Sequence, residues 1–322
     1  MHIHFTLLDQ MQAVKAEPLG QNCTALFLLH FRRMARQRLG QHFLSDADWR
    51  EQIARAIGVS PHSTLRSASA PAHRATSSSI GSTSALDPSY CWIEVGGGHG
   101  EMTEHLASTG AAVYAIELDA LLIARLQRLA KRFPNITVVP GDVLETDLAA
   151  LAAGRRIRLY GNLPYYITSP ILHHFFTFAD QIDEIHIVIQ EEVALRLAAK
   201  PQTKAYGYLS VVTHLYSRPE FVLRIPRDAF SPPPEVGSAL VTLRLPGDRA
   251  KLALRDEAAF LEFVKSCFSQ KRKTLVNNLR PLASPDAVRE ILIAQNLRSD
   301  ARAEQLTVAQ FAALYASLSA AP

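Results

Sequence analysis

The sequence is poor in cysteine. Its three cysteines, Cys23, Cys91 and Cys267, lie far apart in 322 residues, and none belongs to a CxxC pair. That speaks against a disulfide framework and a structural zinc site, and fits a reducing compartment. The chain also lacks any apolar run near the roughly 18 residues that a membrane span needs. The stretch CTALFLLHF (23–31) is short, and the basic RRMAR follows it instead of preceding it, the reverse of a secretory signal. Charge of one sign is missing too. The 34 Lys and Arg stand against 30 Asp and Glu, a net charge of +4 with a pI near 9.0. Such an excess permits a polyanionic partner without demanding one. A cytoplasmic protein of about two domains, without a membrane segment or internal repeats, is the expectation.

Residues 1–33 show no clean period, and organised sequence begins with MARQRLGQHFLSD at Met34. Met34 is read as the natural start and 1–33 as an N-terminal extension foreign to the native protein. Ser45 or Asp46 starts a helix in SDADWREQIARAIG, and Gly58 suits its C′ position. Residues 60–89 are rich in Ser, Ala and Thr, poor in large apolar groups and broken by three prolines. They cannot bury enough surface to offset ordering and read as a disordered insertion. A glycosylated stalk has similar composition, but the cytoplasmic signs oppose it.

From Tyr90 onward strands alternate with helices. Strands are expected at YCWIEV (90–95), AVYAIE (112–117), ITVVP (136–140), RIRLYG (156–161) and EIHIVIQ (184–190). EMTEHLAST, DALLIARLQRLAKRF, SPILHHFFTFA and EEVALRLAA supply the helices, and the whole predicts an α/β, doubly wound parallel sheet. EFVLRI (220–225) and SALVTLRL (238–245), joined by PRDAFSPPPEVG, are expected as an antiparallel, hairpin-like edge. Beyond about residue 250 only helices are read, one with Ser284 as N-cap and Pro285 at its first position, another starting at Thr307. The expected domains are 34–249, α/β, and 250–322, small and all-α.

The first of these strands runs into EVGGGHG, which places Glu94 before Gly96, Gly98 and Gly100. Glycines there let the chain turn tightly and approach a ligand. The spacing is GxGxG, not the GxGxxG of dinucleotide binders. The second strand ends in Glu117, about 20 residues on, the distance at which an acidic side chain holds ribose hydroxyls. The third ends at GDV, where Asp142, followed by Val143, can accept from an exocyclic adenine amine. Together these describe an adenosine-bearing cofactor. NAD is the rival, but Glu101 and Glu104 in the next helical turn would repel its pyrophosphate. They would not repel the cationic sulfonium of S-adenosylmethionine, the favoured cofactor.

The fourth strand delivers NLPY (162–165). Adenine N6 is a poor nucleophile because its lone pair is delocalised into the ring. Two acceptors on its N–H bonds would pull the nitrogen toward tetrahedral geometry. Asn162 can supply one and the carbonyl of Leu163 the other, aimed by the fixed φ of Pro164. Tyr165 offers a face to a base drawn from its stack. A sulfonium is already a strong electrophile, so position and electrostatics suffice and no metal is required. Tyr166 receives no assigned role, with core packing favoured over contact. His173 and His174, adjacent on a helix, do not face one ligand.

The glycine turn followed by NLPY resembles the N6-adenine methyltransferases. Over residues 36 to about 315 the chain resembles, more narrowly, the small-subunit ribosomal RNA adenine dimethyltransferases. The likeness rests on RLGQHFL (38–44), EVGGGHGEMT (94–103), IELD (116–119), GDVL (141–144) and GNLPYYITSPIL (161–172), in the family's order. IQEEVALRL (189–197), KAYGYLSV (204–211), FSPPPEV (230–236) and QKRKTLVNNL (270–279) continue it. The resemblance implies a Rossmann-like class I methyltransferase fold with a helical RNA-binding C-terminal domain, acting as a monomer. The implied substrate is small-subunit (16S) rRNA in a pre-30S particle, dimethylated at two adjacent adenosines in a hairpin loop near its 3′ end. By the same likeness Gln41, His42 and Leu44 border the cofactor with Gly96, Gly98, Glu117, Asp142, Val143 and Asn162. Phe230 would pack on the target base opposite Tyr165. The family usually has Pro, Asn and Asp where this chain has Gly97, His42 and Gly237. Gly97 is expected to loosen the turn, and Gly237 to lose a stabilising side-chain bond.

Lys271, Arg272 and Lys273, read as opening a helix, and Lys204 and Arg227, with Arg218 and Arg224, near the late loops, are candidate phosphate contacts. Part of QKRKTLVNNL is expected to pack the two domains together. Three rivals stand beside this reading. Large-subunit rRNA methyltransferases of macrolide resistance generally lack FSPPPEV with KRKTLVNNL. A DNA adenine methyltransferase needs a target-recognition domain. A binding-only assembly factor would not need Asn162, Glu117 and Asp142.

Overall fold

Strands rich in Ile, Val and Leu on both faces must be covered on both faces, and that requirement organises the molecule. The structure, a computed structural model, describes residues 42–59, 89–252 and 254–319. The expected extension at 1–33, Gln41 and all of the expected insertion but Ser89 lie outside these residues. In chain order the elements are β1 (Phe43–Leu44), α1 (Ala47–Ala56), β2 (Tyr90–Val95), α2 (Glu101–Ala107), β3 (Ala112–Glu117), α3 (Ala120–Ala130) and β4 (Ile136–Pro140). Then come α4 (Leu148–Ala152), β5 (Arg156–Asn162), α5 (Thr168–Phe176), β6 (Ile182–Gln190), α6 (Glu191–Leu197), α7 (Tyr208–Tyr216) and β7 (Arg218–Ile225). β8 (Phe230–Ser231), β9 (Ser238–Arg244), α8 (Glu257–Cys267), α9 (Leu275–Asn278), α10 (Pro285–Ala294) and α11 (Val308–Ser319) complete them. Among the described residues no helix is long and apolar enough to cross a membrane.

Seven strands form one sheet in the order β4-β3-β2-β5-β6-β9-β7. β4, β3, β2, β5 and β6 run parallel, and β9 runs against both of its neighbours. The expected late antiparallel pair is present, with β9 inserted between β6 and β7. Alternation along each strand sends residues to opposite faces. Ile93, Ile157, Leu159, Ile185, Ile187 and Val241 face one core, which runs without a break into Phe260, Phe263, Leu275 and Phe311 of the C-terminal helices. Trp92, Val113, Tyr160, Val188 and Leu240 face the other, covered by Ile53 of α1 and Met102 and Leu106 of α2. From His42 onward the chain is one compact unit.

Helix starts follow local chemistry. The carboxylates of Asp46, Asp119, Asp147 and Asp256 accept backbone N–H groups at the starts of α1, α3, α4 and α8, and Ser284 does so for α10. Some elements were absent from the sequence reading. Two are the helices α4 and α7. Another is a two-residue antiparallel ribbon in which Phe43 pairs Ser231 and Leu44 pairs Phe230. Two residues carry no period, and their pairing spans most of the chain.

Candidate active site

The parallel register sets four strand ends side by side. Val95 lies beside Ile116 and Gly161, Glu117 beside Pro140, and Asn162 beside Val188. In space the order along the edge is Asp142, Glu117, the glycine turn, Asn162. This carboxyl edge of an open α/β sheet, where the strand order reverses, is where ligands bind.

On the Asp142 side the groups are held by local bonds. Gly96 and Gly98 have φ of +72° and +56°, backbone that a side chain at Cβ would strain. The turn carries the Gly98 N–H to Glu117 Oε2 at 2.9 Å. Glu117 Oε1 accepts from the N–H groups of Leu118 (2.8 Å) and Asp119 (3.0 Å). Asp142 Oδ1 accepts from the Leu144 N–H at 2.9 Å, leaving its second oxygen for a ligand. Val143 is buried in the core below it. At Gly97 a Cβ would lie 2.9 Å from Leu126 Cδ1, so a side chain there would require the tip of this α3 leucine to shift.

Glu94 is buried, and the Thr103 hydroxyl donates to its Oε2 at 2.5 Å. Burial pushes its carboxyl up to about 8, against the lowering effect of the Thr103 bond. Leu118, beside Glu117, is 66% exposed. The sequence reading named Glu94 without giving it a role and passed over Leu118, for which a large apolar residue directly after the acid expected at the ribose was the available signal.

On the Asn162 side the bonds reach far along the chain. Asn162 Nδ2 donates to the carbonyl of His42 at 2.9 Å, which leaves Oδ1 as the free acceptor of that amide. His42 Nδ1 donates to the Pro232 carbonyl at 2.7 Å, and its ring stacks on Tyr165 at 5.8 Å between centroids. The Tyr165 hydroxyl is hydrogen-bonded to Ser238 Oγ at 2.6 Å. Leu163 gives its N–H to Val188 O at 3.0 Å, and Pro164 enters the turn with φ −59°. His42 therefore ties three segments, QHFL, NLPY and FSPPP, that sequence leaves far apart. Leu44, expected at the cofactor, is a buried core residue paired with Phe230. Phe230 is only 3% exposed, packed in the same core, so the structure does not bring an open Phe230 face to Tyr165.

Two further expectations are corrected. Tyr166 is not a core residue: it is 56% exposed, and its phenol is pushed up first by partial burial and then by the Asp142 carboxylate. Lys271, Arg272 and Lys273 do not open a helix. They lie exposed in the turn between α8 and α9, because α9 begins only after Thr274. That turn is braced from below by buried Asn278, whose Nδ2 donates to the carbonyls of Cys267 (2.7 Å) and Gln270 (3.1 Å). Lys271 Nζ donates to the Lys204 carbonyl at 2.5 Å, which brings these two candidate phosphate contacts together. Arg227 is exposed, with Nε given to the Pro234 carbonyl at 2.6 Å, so it braces the FSPPPEV loop. Arg224 is paired with Glu191 at 2.6 Å. His174 Nε2 lies 3.0 Å from the Thr146 carbonyl and the His173 ring stacks on Tyr208. Among the described residues no group of three or more His, Cys, Asp or Glu is placed to hold a metal ion.

The strand order and the cluster at its carboxyl edge define a class I methyltransferase fold. The chain belongs to the ribosomal RNA adenine dimethylase family, whose pattern matches residues 32–320. It is 34% identical over 287 residues to the ribosomal RNA small subunit methyltransferase A of Shewanella oneidensis, covering 89% of this chain and 95% of that one. With the protein of that description from Xanthomonas campestris pv. campestris it shares 37% identity over 281 residues, 87% of this chain and 95% of the other. Two solved structures share the fold. A dimethyladenosine transferase from Plasmodium falciparum aligns with a TM-score of 0.62 at 22% identity, covering 71% of this chain and 90% of that one. The 23S rRNA methyltransferase ErmE aligns with a TM-score of 0.58 at 25% identity, covering 86% and 99%.

Proposed function

We propose that this chain transfers methyl groups from S-adenosylmethionine to N6 of two adjacent adenosines in a hairpin loop near the 3′ end of small-subunit rRNA. Each becomes N6,N6-dimethyladenosine during small-subunit biogenesis. The observation that carries the reading is the Asn162 amide. Its N–H is committed to the His42 carbonyl, so its oxygen is the group left to accept from an adenine amine. Amide orientation is set by such partners.

The residues present fit the cofactor. The free oxygen of Asp142 and the exposed apolar side chain of Leu118 suit an adenine. Glu117 offers about four lone-pair sites, of which three are taken by backbone N–H groups. A ribose diol donating twice would thus displace one of these three N–H groups. Glu101 and Glu104 in the first turn of α2 favour a cation over a pyrophosphate. When bound, the sulfonium supplies an electrophilic methyl group. The chain's own work is to hold the adenine by Asn162 Oδ1 and the Leu163 carbonyl, with N6 drawn toward tetrahedral geometry. Tyr165 supports the ring, and Lys204, Lys271, Arg272 and Lys273 meet phosphates.

The test uses small subunits from a strain lacking the modification, labelled S-adenosylmethionine, nuclease digestion and mass spectrometry. Two neighbouring dimethyladenosines near the 3′ end are expected. Cofactor binding without transfer, or methyl groups at another site, would overturn the reading.

A further inference from the structure

Tyr165 begins a short 3₁₀ turn (Tyr165–Ile167) between β5 and α5 that has no side-chain cap. A tyrosine in such a place has two free rotors, and a stacking platform helps a reaction only if its plane is set beforehand. Here the ring is held at two points. Its face meets the His42 imidazole with 29° between the planes. Its hydroxyl meets Ser238 Oγ at 2.6 Å, a contact across 73 residues.

Ser238 is fully buried and is the first residue of β9, paired with Gln190 of β6 and Ile225 of β7. The residue before it is locked as well, since the Gly237 carbonyl accepts the Glu191 N–H at 3.0 Å. The anchor therefore belongs to the sheet, not to the FSPPPEV loop that precedes it. Tyr165 keeps its proton, since burial pushes its phenol upward. We propose that Ser238 is a positioning residue for methyl transfer: its hydroxyl holds the Tyr165 ring in the plane that receives the target adenine. This rests on the methyltransferase reading above. Ser238 touches neither base nor cofactor and acts through Tyr165 alone.

The test is a double-mutant cycle of wild type, Ser238→Ala, Tyr165→Phe and the double variant, each read by transfer kinetics on unmodified small subunits and by S-adenosylmethionine affinity. Either single change removes one hydroxyl of the pair and leaves the other unpaired. Each is expected to lower kcat/KM for RNA about five- to tenfold, with cofactor affinity unchanged. The double variant is expected to be no worse than the poorer single, because both remove one contact. Independent, multiplying losses would overturn the proposal, as would a Ser238→Ala protein that transfers like wild type or that loses cofactor affinity in step with activity. A wild-type protein that transfers no methyl overturns the methyltransferase reading, and this proposal with it.

Discussion

The two halves of the carboxyl edge are built differently. On the cofactor half, Glu117 is fixed by the N–H groups of Gly98, Leu118 and Asp119, and Asp142 by that of Leu144, all within 19 residues. On the target half, Asn162 is fixed by a residue 120 positions away, Tyr165 by one 73 away, and His42 by one 190 away. The first half can form once the three neighbouring strands β2, β3 and β4 have paired. The second exists only when the first strand, the fourth large strand and the late antiparallel pair have all assembled. The proposed cofactor site is thus local, and the proposed site for the target base is assembled from across the fold.

The sharpest break in that comparison is at Asn162. Asn162→Ala removes the one free amide acceptor and should lower methyl transfer by about 10³-fold. Single-turnover kinetics on unmodified subunits measures it, and the variant should still bind the particle. Persistent methylation would remove the amide from the mechanism. Next in size is Glu117→Ala on the other half. Losing hydrogen bonds to a charged group costs about 2 kcal/mol, roughly 30-fold in S-adenosylmethionine affinity, with RNA affinity unaffected in a filter-binding assay.

A third prediction concerns pH on the cofactor half. Glu94 has a carboxyl pKa raised from 4.5 to about 8 by burial, so at pH 7 it is neutral before ligand binds. The native state then holds a proton that the unfolded state has released, and this group makes stability fall as pH rises from 4.5 to about 8. A bound cation nearby favours the carboxylate, so cofactor binding should release a proton and tighten with rising pH until about 8. Calorimetric titration in two buffers of different ionisation heat reads the proton count. Glu94→Gln should bring it to zero.

The smallest expected effect concerns Gly237 beside the target half. A Cβ there would lie 3.4 Å from Glu191 Oε2, so the aspartate usual in the family would face a carboxylate in this chain. Gly237→Asp should cost about 1 kcal/mol, roughly 2–4 °C in Tm, and pairing it with Glu191→Gln should restore the loss. Thermal denaturation of the two variants measures both. Glu191 is paired to Arg224 at 2.6 Å, so an acid at 237 would meet a carboxylate already engaged with its cation.

What was legible in the sequence follows the same divide. The parallel strands, the glycine turn and the strand-end positions of Glu117 and Asp142 were readable because period and spacing are local properties. NLPY was readable as a motif, but its supports were not. Nothing near Ser238 marks it as the partner of Tyr165, and the β1–β8 pairing has no periodic signature. Tyr166 had no assignable role in sequence, and the leaning toward core packing failed because a tyrosine beside an apolar helix start resembles core sequence. The basic turn was misplaced because TLVNN follows KRK without a Gly or Pro to mark the boundary, whereas the helix starts only after Thr274, its N-cap residue.

The separation of the two halves is tested most directly by titrating S-adenosylmethionine calorimetrically into Tyr165→Ala and Glu117→Ala side by side. The account predicts that Tyr165→Ala keeps wild-type cofactor affinity within about threefold while Glu117→Ala loses roughly 30-fold. Equal losses in the two proteins would contradict it and mean that cofactor and target base are held by one shared site.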